Sequence, residues 1–183
     1  MIIYIHGFSS HGYGGKAKMF RSYFTDKKET FIAPSLSYIP DLAIQTLEEL
    51  ITACDDVKLI GSSLGGYYAM YLAEKHDLKA VLVNPAMHSA RTLSRMLGEA
   101  PNFYDGSLFE WKTSHLEMLK KYETEISNQS KIMLMVQKGD DVLDYREAID
   151  KLPSAKQIVE EGGDHSFTGV ETYFDEIKFF LRD

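Results

Sequence analysis

Ser63 lies in Gly61-Ser62-Ser63-Leu64-Gly65, a GxSxG pentapeptide preceded by the apolar run Val57-Lys58-Leu59-Ile60 and followed by a helix-like segment from Tyr67 to Lys75. A strand, a tight turn and a helix in that order put the serine at the apex. Glycines two residues to either side leave room for the chain to pass, and the hydroxyl is pushed toward a substrate. A serine hydroxyl is a poor nucleophile at neutral pH, so it needs a base within hydrogen-bond reach and an acid to orient that base.

Of the six histidines, His165 has the most suggestive surroundings, the polar glycine-bearing loop Glu160-Glu161-Gly162-Gly163-Asp164-His165-Ser166-Phe167. It follows the last strand-like run and precedes the last helix-like segment, and such loops gather at the carboxyl ends of strands in a doubly wound sheet. The acid is expected from Gly139-Asp140-Asp141-Val142-Leu143-Asp144. Asp140 is preferred to Asp141, because the residue just leaving a strand is held most rigidly. Asp144 belongs to the next helix, where an acidic first turn is favoured. Asp164 is read as a loop-stabilising carboxylate, since a sequence neighbour seldom has the geometry to reach the His165 ring.

An ester carbonyl under attack develops an oxyanion, which calls for preorganised donors. Two backbone amides are predicted: Leu64 N–H, just after the serine, and Phe8 N–H in His6-Gly7-Phe8-Ser9-Ser10 after the first strand. His6 is read as pinning that loop. His11 is a substrate-contact candidate, and His76, His88 and His115 are read as surface or packing residues on helices.

The elements that must position these groups follow from periodicity. Six β-rich runs recur, at about 1–6, 29–34, 57–61, 79–84, 131–137 and 155–160, with helical patterns at 16–25, 41–53, 64–76, 143–151 and 168–181. Runs such as Ala80-Val81-Leu82-Val83 are apolar on both faces, as strands covered by helices on both sides must be. A three-layer, doubly wound α/β fold with a mostly parallel sheet of about six strands is predicted. The stretch 86–130 is far longer than an ordinary connection and carries Met87, Phe103, Phe109 and Trp111. It is read either as a two-helix excursion covering the end of the sheet or as a lid lining an acyl pocket, with Met87, Phe109 and Trp111 as substrate contacts. Lys16, Lys18, Arg91 and Arg95 are basic residues near the expected mouth, read as solvated, with a patch that holds an anionic group such as that of coenzyme A as the alternative.

Composition sets outer bounds. A chain of 183 residues suits one domain, 1–183, with a real core. A formal charge of −7 disfavours nucleic acid and anionic membrane as partners. No run approaches the roughly 20 apolar residues of a membrane span, and Met1-Ile2-Ile3-Tyr4-Ile5 reads as a strand rather than a signal peptide. The single cysteine, Cys54, fits a reducing cytoplasm and plain packing, and no Cys/His spacing suggests a metal. Oligomeric state is not encoded in any visible pattern.

The four motifs HGFSS, GSSLGG, GDDVLDY and EEGGDHSF, in that order, resemble those of the α/β-hydrolases, and more narrowly of the YqiA-like small bacterial esterases. That resemblance implies Ser63 as nucleophile, Asp140 as acid, His165 as base, and Phe8 and Leu64 as oxyanion donors. It also implies esterase or thioesterase activity on a small acyl substrate through an acyl-enzyme, with no cofactor or metal. The chain departs from larger hydrolases in beginning at the strand that carries HGF. Rival readings are an acyltransferase or carbon–carbon bond hydrolase on the same three residues, or a low-turnover protein-binding module presenting 86–130 as its contact surface.

Overall fold

A computed structural model describes residues 1–182. The elements run β1 (Ile2–Ile5), α1 (Gly15–Asp26), β2 (Phe31–Ile32), α2 (Pro40–Thr52), β3 (Lys58–Ser62), α3 (Leu64–His76), β4 (Ala80–Val83), α4 (Ser89–Leu93), β5 (Gly98–Pro101), β6 (Leu108–Trp111), α5 (Thr113–Lys120), β7 (Ile132–Gln137), α6 (Tyr145–Lys151), β8 (Lys156–Glu160) and α7 (Phe174–Arg182). Six strands form one parallel sheet in the order β2-β1-β3-β4-β7-β8. Each strand predicted for the sheet is present, although β2 pairs through two residues only.

Alternation along the strands builds two cores. Ile3, Ile5, Leu59, Leu82 and Leu134 face α2, α3 and the segment between β4 and β7, whereas Tyr4, Ile60, Val81, Val83 and Met135 face α1 and α7. On the second face α1 contributes Phe20 and Phe24, and α7 contributes Phe174, Ile177 and Leu181. Helices thus cover both sides of a sheet whose central strands carry no polar face.

Two helix starts sit later than the periodicity predicts. Asp144 caps α6, its side chain accepting from Arg146 N–H at 3.0 Å, so that helix begins at Tyr145. The last helix opens as a 3₁₀ turn, Val170–Tyr173, before α7.

The excursion 86–130 is not simply two helices. Between α4 and α5 an antiparallel hairpin pairs Gly98 with Trp111 and Pro101 with Leu108. Its turn is closed by Asn102 N–H to Ser107 O at 2.7 Å and Gly106 N–H to Asn102 O at 2.8 Å. Asp105 accepts from both the amide and the hydroxyl of Ser107.

The strand order reverses around β1: β2 lies on one side of it and β3 on the other. At such a switch point the loops leaving adjacent strands diverge and open a crevice at their carboxyl ends. Here those loops are His6-Gly7-Phe8 after β1 and Ser63 after β3.

Candidate active site

Ser63 joins β3 to α3 with φ 56° and ψ −121°, a backbone conformation costly for a residue with a side chain. Close packing makes that turn possible. A Cβ on Gly65 would fall 2.0 Å from the Ile5 carbonyl oxygen, and one on Gly61 would fall 2.2 Å from the Gly65 oxygen. Only glycine lets α3 sit this close to β1 and β3. The Ser63 carbonyl is fixed by Gly66 N–H and Ala86 N–H, at 2.9 and 3.1 Å.

His165 Nε2 lies 3.0 Å from Ser63 Oγ, and its Nδ1 lies 2.8 Å from Asp140 Oδ2. Three groups from three loops therefore form a continuous chain of hydrogen bonds. The Asp140 side chain is 2% exposed, and its Oδ1 accepts from Val142 N–H and Leu143 N–H at 2.8 and 2.9 Å. Burial pushes the Asp140 carboxyl up, but hydrogen bonds from His165, Leu143 and Val142 outweigh it and leave the group below the usual carboxylate range. Asp141 is exposed. Asp164 turns to its own loop, accepting from Thr168 N–H and Thr168 Oγ–H.

The loop after β1 completes the arrangement. His6 Nε2 accepts from Leu36 N–H at 2.9 Å, which places the ring proton on Nδ1, 2.9 Å from the Gly7 carbonyl. Burial pushes this imidazole below its ordinary value, so it stays a neutral pin. Among the described residues, neither Phe8 N–H nor Leu64 N–H donates to another protein group. Both residues line the cavity that Ser63 and His165 share.

That cavity has a volume of about 860 Å³. Leu64, Leu93, Met96, Phe103, Val142 and Leu143 give it an apolar wall, and Tyr4, Lys16 and Ser62 enter from the α1 side. Of the four residues expected to contact substrate, His11 lines it. Phe109 lines a separate cavity of about 240 Å³ behind the Phe8 loop. Met87 and Trp111 line neither, because they are 2% and 1% exposed and belong to the core. Trp111 instead donates from Nε1 to the Leu93 carbonyl and packs against the Phe8 ring with centroids 4.9 Å apart; Phe109 packs on the same ring at 5.7 Å. Both aromatics brace the Phe8 loop, and Phe109 also faces the smaller cavity.

Two residues without a catalytic motif of their own hold the site in place. Asn84, at the end of β4, donates from Nδ2 to the Asp164 and His165 carbonyls and accepts from Gln137 N–H. Gln137, at the end of β7, donates to the Thr168 carbonyl and accepts from Asp164 N–H. Each is a polar residue closing an apolar strand at its carboxyl end, which is the signal that could have found them. Lys16, read as solvated, instead reaches inward and donates to Ser62 Oγ at 2.7 Å. Arg91 pairs with Glu147, and Arg95 is exposed at the cavity rim. Cys54 packs against the core. Among the described residues no helix is long and apolar enough to cross a membrane, and no group of three His, Cys, Asp or Glu residues could hold a metal ion.

A family model described as "Uncharacterised protein family (UPF0227)" matches residues 1–182. A UPF0227 protein of Shewanella sp. (strain MR-7) is 26% identical over 186 residues, 98% of each chain. Among solved structures, alpha/beta hydrolase domain-containing protein 10 from mouse aligns with a TM-score of 0.77 at 17% identity, covering 98% of this chain and 88% of its own. Est1E from Butyrivibrio proteoclasticus, bound to ferulic acid, aligns with a TM-score of 0.73 at 13% identity, covering 98% and 87%. The fold is that of the α/β-hydrolases.

Proposed function

The chain belongs to the UPF0227 family, and from that premise we propose that it is a serine esterase acting on carboxylic esters or acyl thioesters of small molecules. The observation that carries this reading is the hydrogen-bonded chain Ser63 Oγ–His165 Nε2–His165 Nδ1–Asp140 Oδ2, with links of 3.0 and 2.8 Å, facing a cavity with an apolar wall.

In this mechanism His165 Nε2 takes the Ser63 proton as Oγ attacks the carbonyl carbon. Asp140 holds the imidazole with Nδ1 protonated and stabilises the imidazolium that forms. The oxyanion receives hydrogen bonds from Phe8 N–H and Leu64 N–H, which have no other partner among the described residues to give up. The tetrahedral intermediate collapses, His165 returns its proton to the leaving alcohol or thiol, and an acyl ester remains on Ser63. A water then attacks that ester, giving its proton to His165, and a second collapse releases the acid and regenerates the hydroxyl.

No step needs a cofactor, and a reducing cytoplasm suits the single cysteine. The apolar wall accommodates an acyl chain or an aryl group, and the ferulic acid held by Est1E is one example of an acid bound on this fold. The reading is tested by turnover of p-nitrophenyl butyrate. Ser63→Ala and His165→Ala should each lower kcat by about 10⁴- to 10⁶-fold while circular dichroism stays that of the parent. A folded Ser63→Ala protein as active as the parent would overturn it.

A further inference from the structure

The mechanism above leaves two cations that line the cavity unused, Lys16 and Arg95, and only Lys16 reaches its inner wall. Lys16 stands in the first turn of α1, and its Nζ donates to Ser62 Oγ at 2.7 Å. Ser62 directly precedes the proposed nucleophile and is 5% exposed. Alternation along β3 sends its side chain, like that of Ile60, to the α1 and α7 face of the sheet.

This ammonium points into the cavity without the carboxylate partner that most of the other lysines have. Lys58, Lys75, Lys121, Lys138 and Lys151 all pair with a carboxylate. Among the described residues no Asp or Glu oxygen comes within ion-pairing distance of Lys16 Nζ, although the chain holds 27 Asp and Glu against 20 Lys and Arg. The nearby acids are engaged elsewhere, Asp140 with His165 and Asp164 with Thr168. Burial pushes the Lys16 ammonium down to about 8, against the pull of Asp164 and Asp140. A cation taken from water and given only a neutral hydroxyl weakens the fold unless something else completes it. Its remaining N–H donors and the cavity into which they open fit an acceptor that arrives with the substrate.

We propose that Lys16 is a specificity-determining residue that receives an anionic group of the substrate, a carboxylate or a phosphate, carried on the acyl or the alcohol half of the ester. This rests on the esterase reading and narrows its substrate class. Lys16, Ser62 and Ser63 line one cavity, so the anionic group and the bond being cleaved would share it, which favours a short ester. Arg95, the other cation lining the cavity, is exposed and donates to the Val142 carbonyl at 3.4 Å, which leaves Lys16 as the inner receptor.

The test compares three esters: p-nitrophenyl butyrate, mono-p-nitrophenyl glutarate with its charge on the acyl half, and the butyrate ester of 4-hydroxybenzoate with its charge on the leaving half. Each is run with the parent, Lys16→Met, Lys16→Arg and Arg95→Met. One of the two anionic esters should exceed the neutral ester in kcat/KM, and which one does so assigns the half that carries the charge. Lys16→Met should lower that ratio by about tenfold or more, with Lys16→Arg retaining more of it and Arg95→Met disturbing it less. Lys16→Met should also melt at a higher temperature than the parent, because an unpaired inner charge is gone. A parent active on the neutral ester but indifferent to charge, or a Lys16→Met protein with an unchanged ratio, overturns this inference alone. A parent inactive on all three esters overturns the esterase reading and this inference with it.

Discussion

Asn84 Nδ2 donates to the carbonyl of His165 at 3.1 Å and to that of Asp164 at 2.9 Å, so a buried amide at the end of β4 holds the loop that carries the imidazole. Its Oδ1 accepts from Gln137 N–H at 3.0 Å, which ties the same loop to the end of β7. Asn84→Ala strands a buried donor and releases two carbonyls, a cost of about 1–3 kcal/mol in stability. It also slackens the distance between His165 and Ser63, and kcat should fall roughly tenfold or more with KM changing less. Steady-state kinetics beside a urea titration check both; an unaltered kcat would show that the loop holds its place without Asn84.

Asp140 and Asp141 are adjacent in sequence and unlike in surroundings. Asp140→Asn should lower kcat by about 10⁴-fold, because Val142 N–H and Leu143 N–H keep the amide oxygen, so its NH2 faces Nδ1, selects the other His165 tautomer and cannot stabilise the imidazolium. Asp141→Asn, at an exposed position, should change kcat by less than about twofold. Equal effects of the two substitutions would reverse the assignment.

The same carboxylate makes a pH prediction. Asp140 is held below the usual carboxylate range in the folded chain, so the unfolded chain binds the proton more readily. The stability this contributes is present above the unfolded value of about 3.9 and is lost as pH falls through the folded one. Between about pH 5 and 2, stability should therefore fall less steeply for Asp140→Asn than for the parent. Urea midpoints measured across that window decide it, and parallel slopes would contradict the assigned shift.

Gly65 lies under β1 with no space for a methyl group, the nearest obstacle being backbone rather than a movable side chain. Gly65→Ala should destabilise by about 3 kcal/mol or more, since α3 must lift away from the Ile5 carbonyl. A lower urea midpoint with an unchanged slope is the expected signature. Stability equal to the parent would mean that the turn at Ser63 is not packed as described.

How far the sequence could be read depended on whether a residue's surroundings are local. The strands of the central sheet were legible because β4 and β7 are apolar on both faces, a pattern that packing on two sides imposes. Ser63 was legible because its turn is specified by glycines within two residues of it. The hairpin β5–β6 was missed: Gly98-Glu99-Ala100-Pro101 contains no β-branched or aromatic residue, and only Asn102 to Gly106 hint at the turn. Met87 and Trp111 look like substrate contacts in the sequence because large apolar side chains in an insertion serve core and cavity alike; which they serve depends on how the segment folds back over Phe8. Lys16 looks solvated in the sequence because the tip of a long side chain goes where tertiary packing leaves room, and here α1 crosses close enough to β3 for Nζ to reach Ser62.

The most direct measurement of the central claim is labelling by a fluorophosphonate, which reacts with a serine only when a neighbouring base has activated it. One adduct per chain is predicted, located by peptide mass spectrometry on Ser63, with labelling abolished in folded Ser63→Ala and strongly slowed in His165→Ala. Folded parent protein that takes up no label, or takes it up at another residue, would contradict the account.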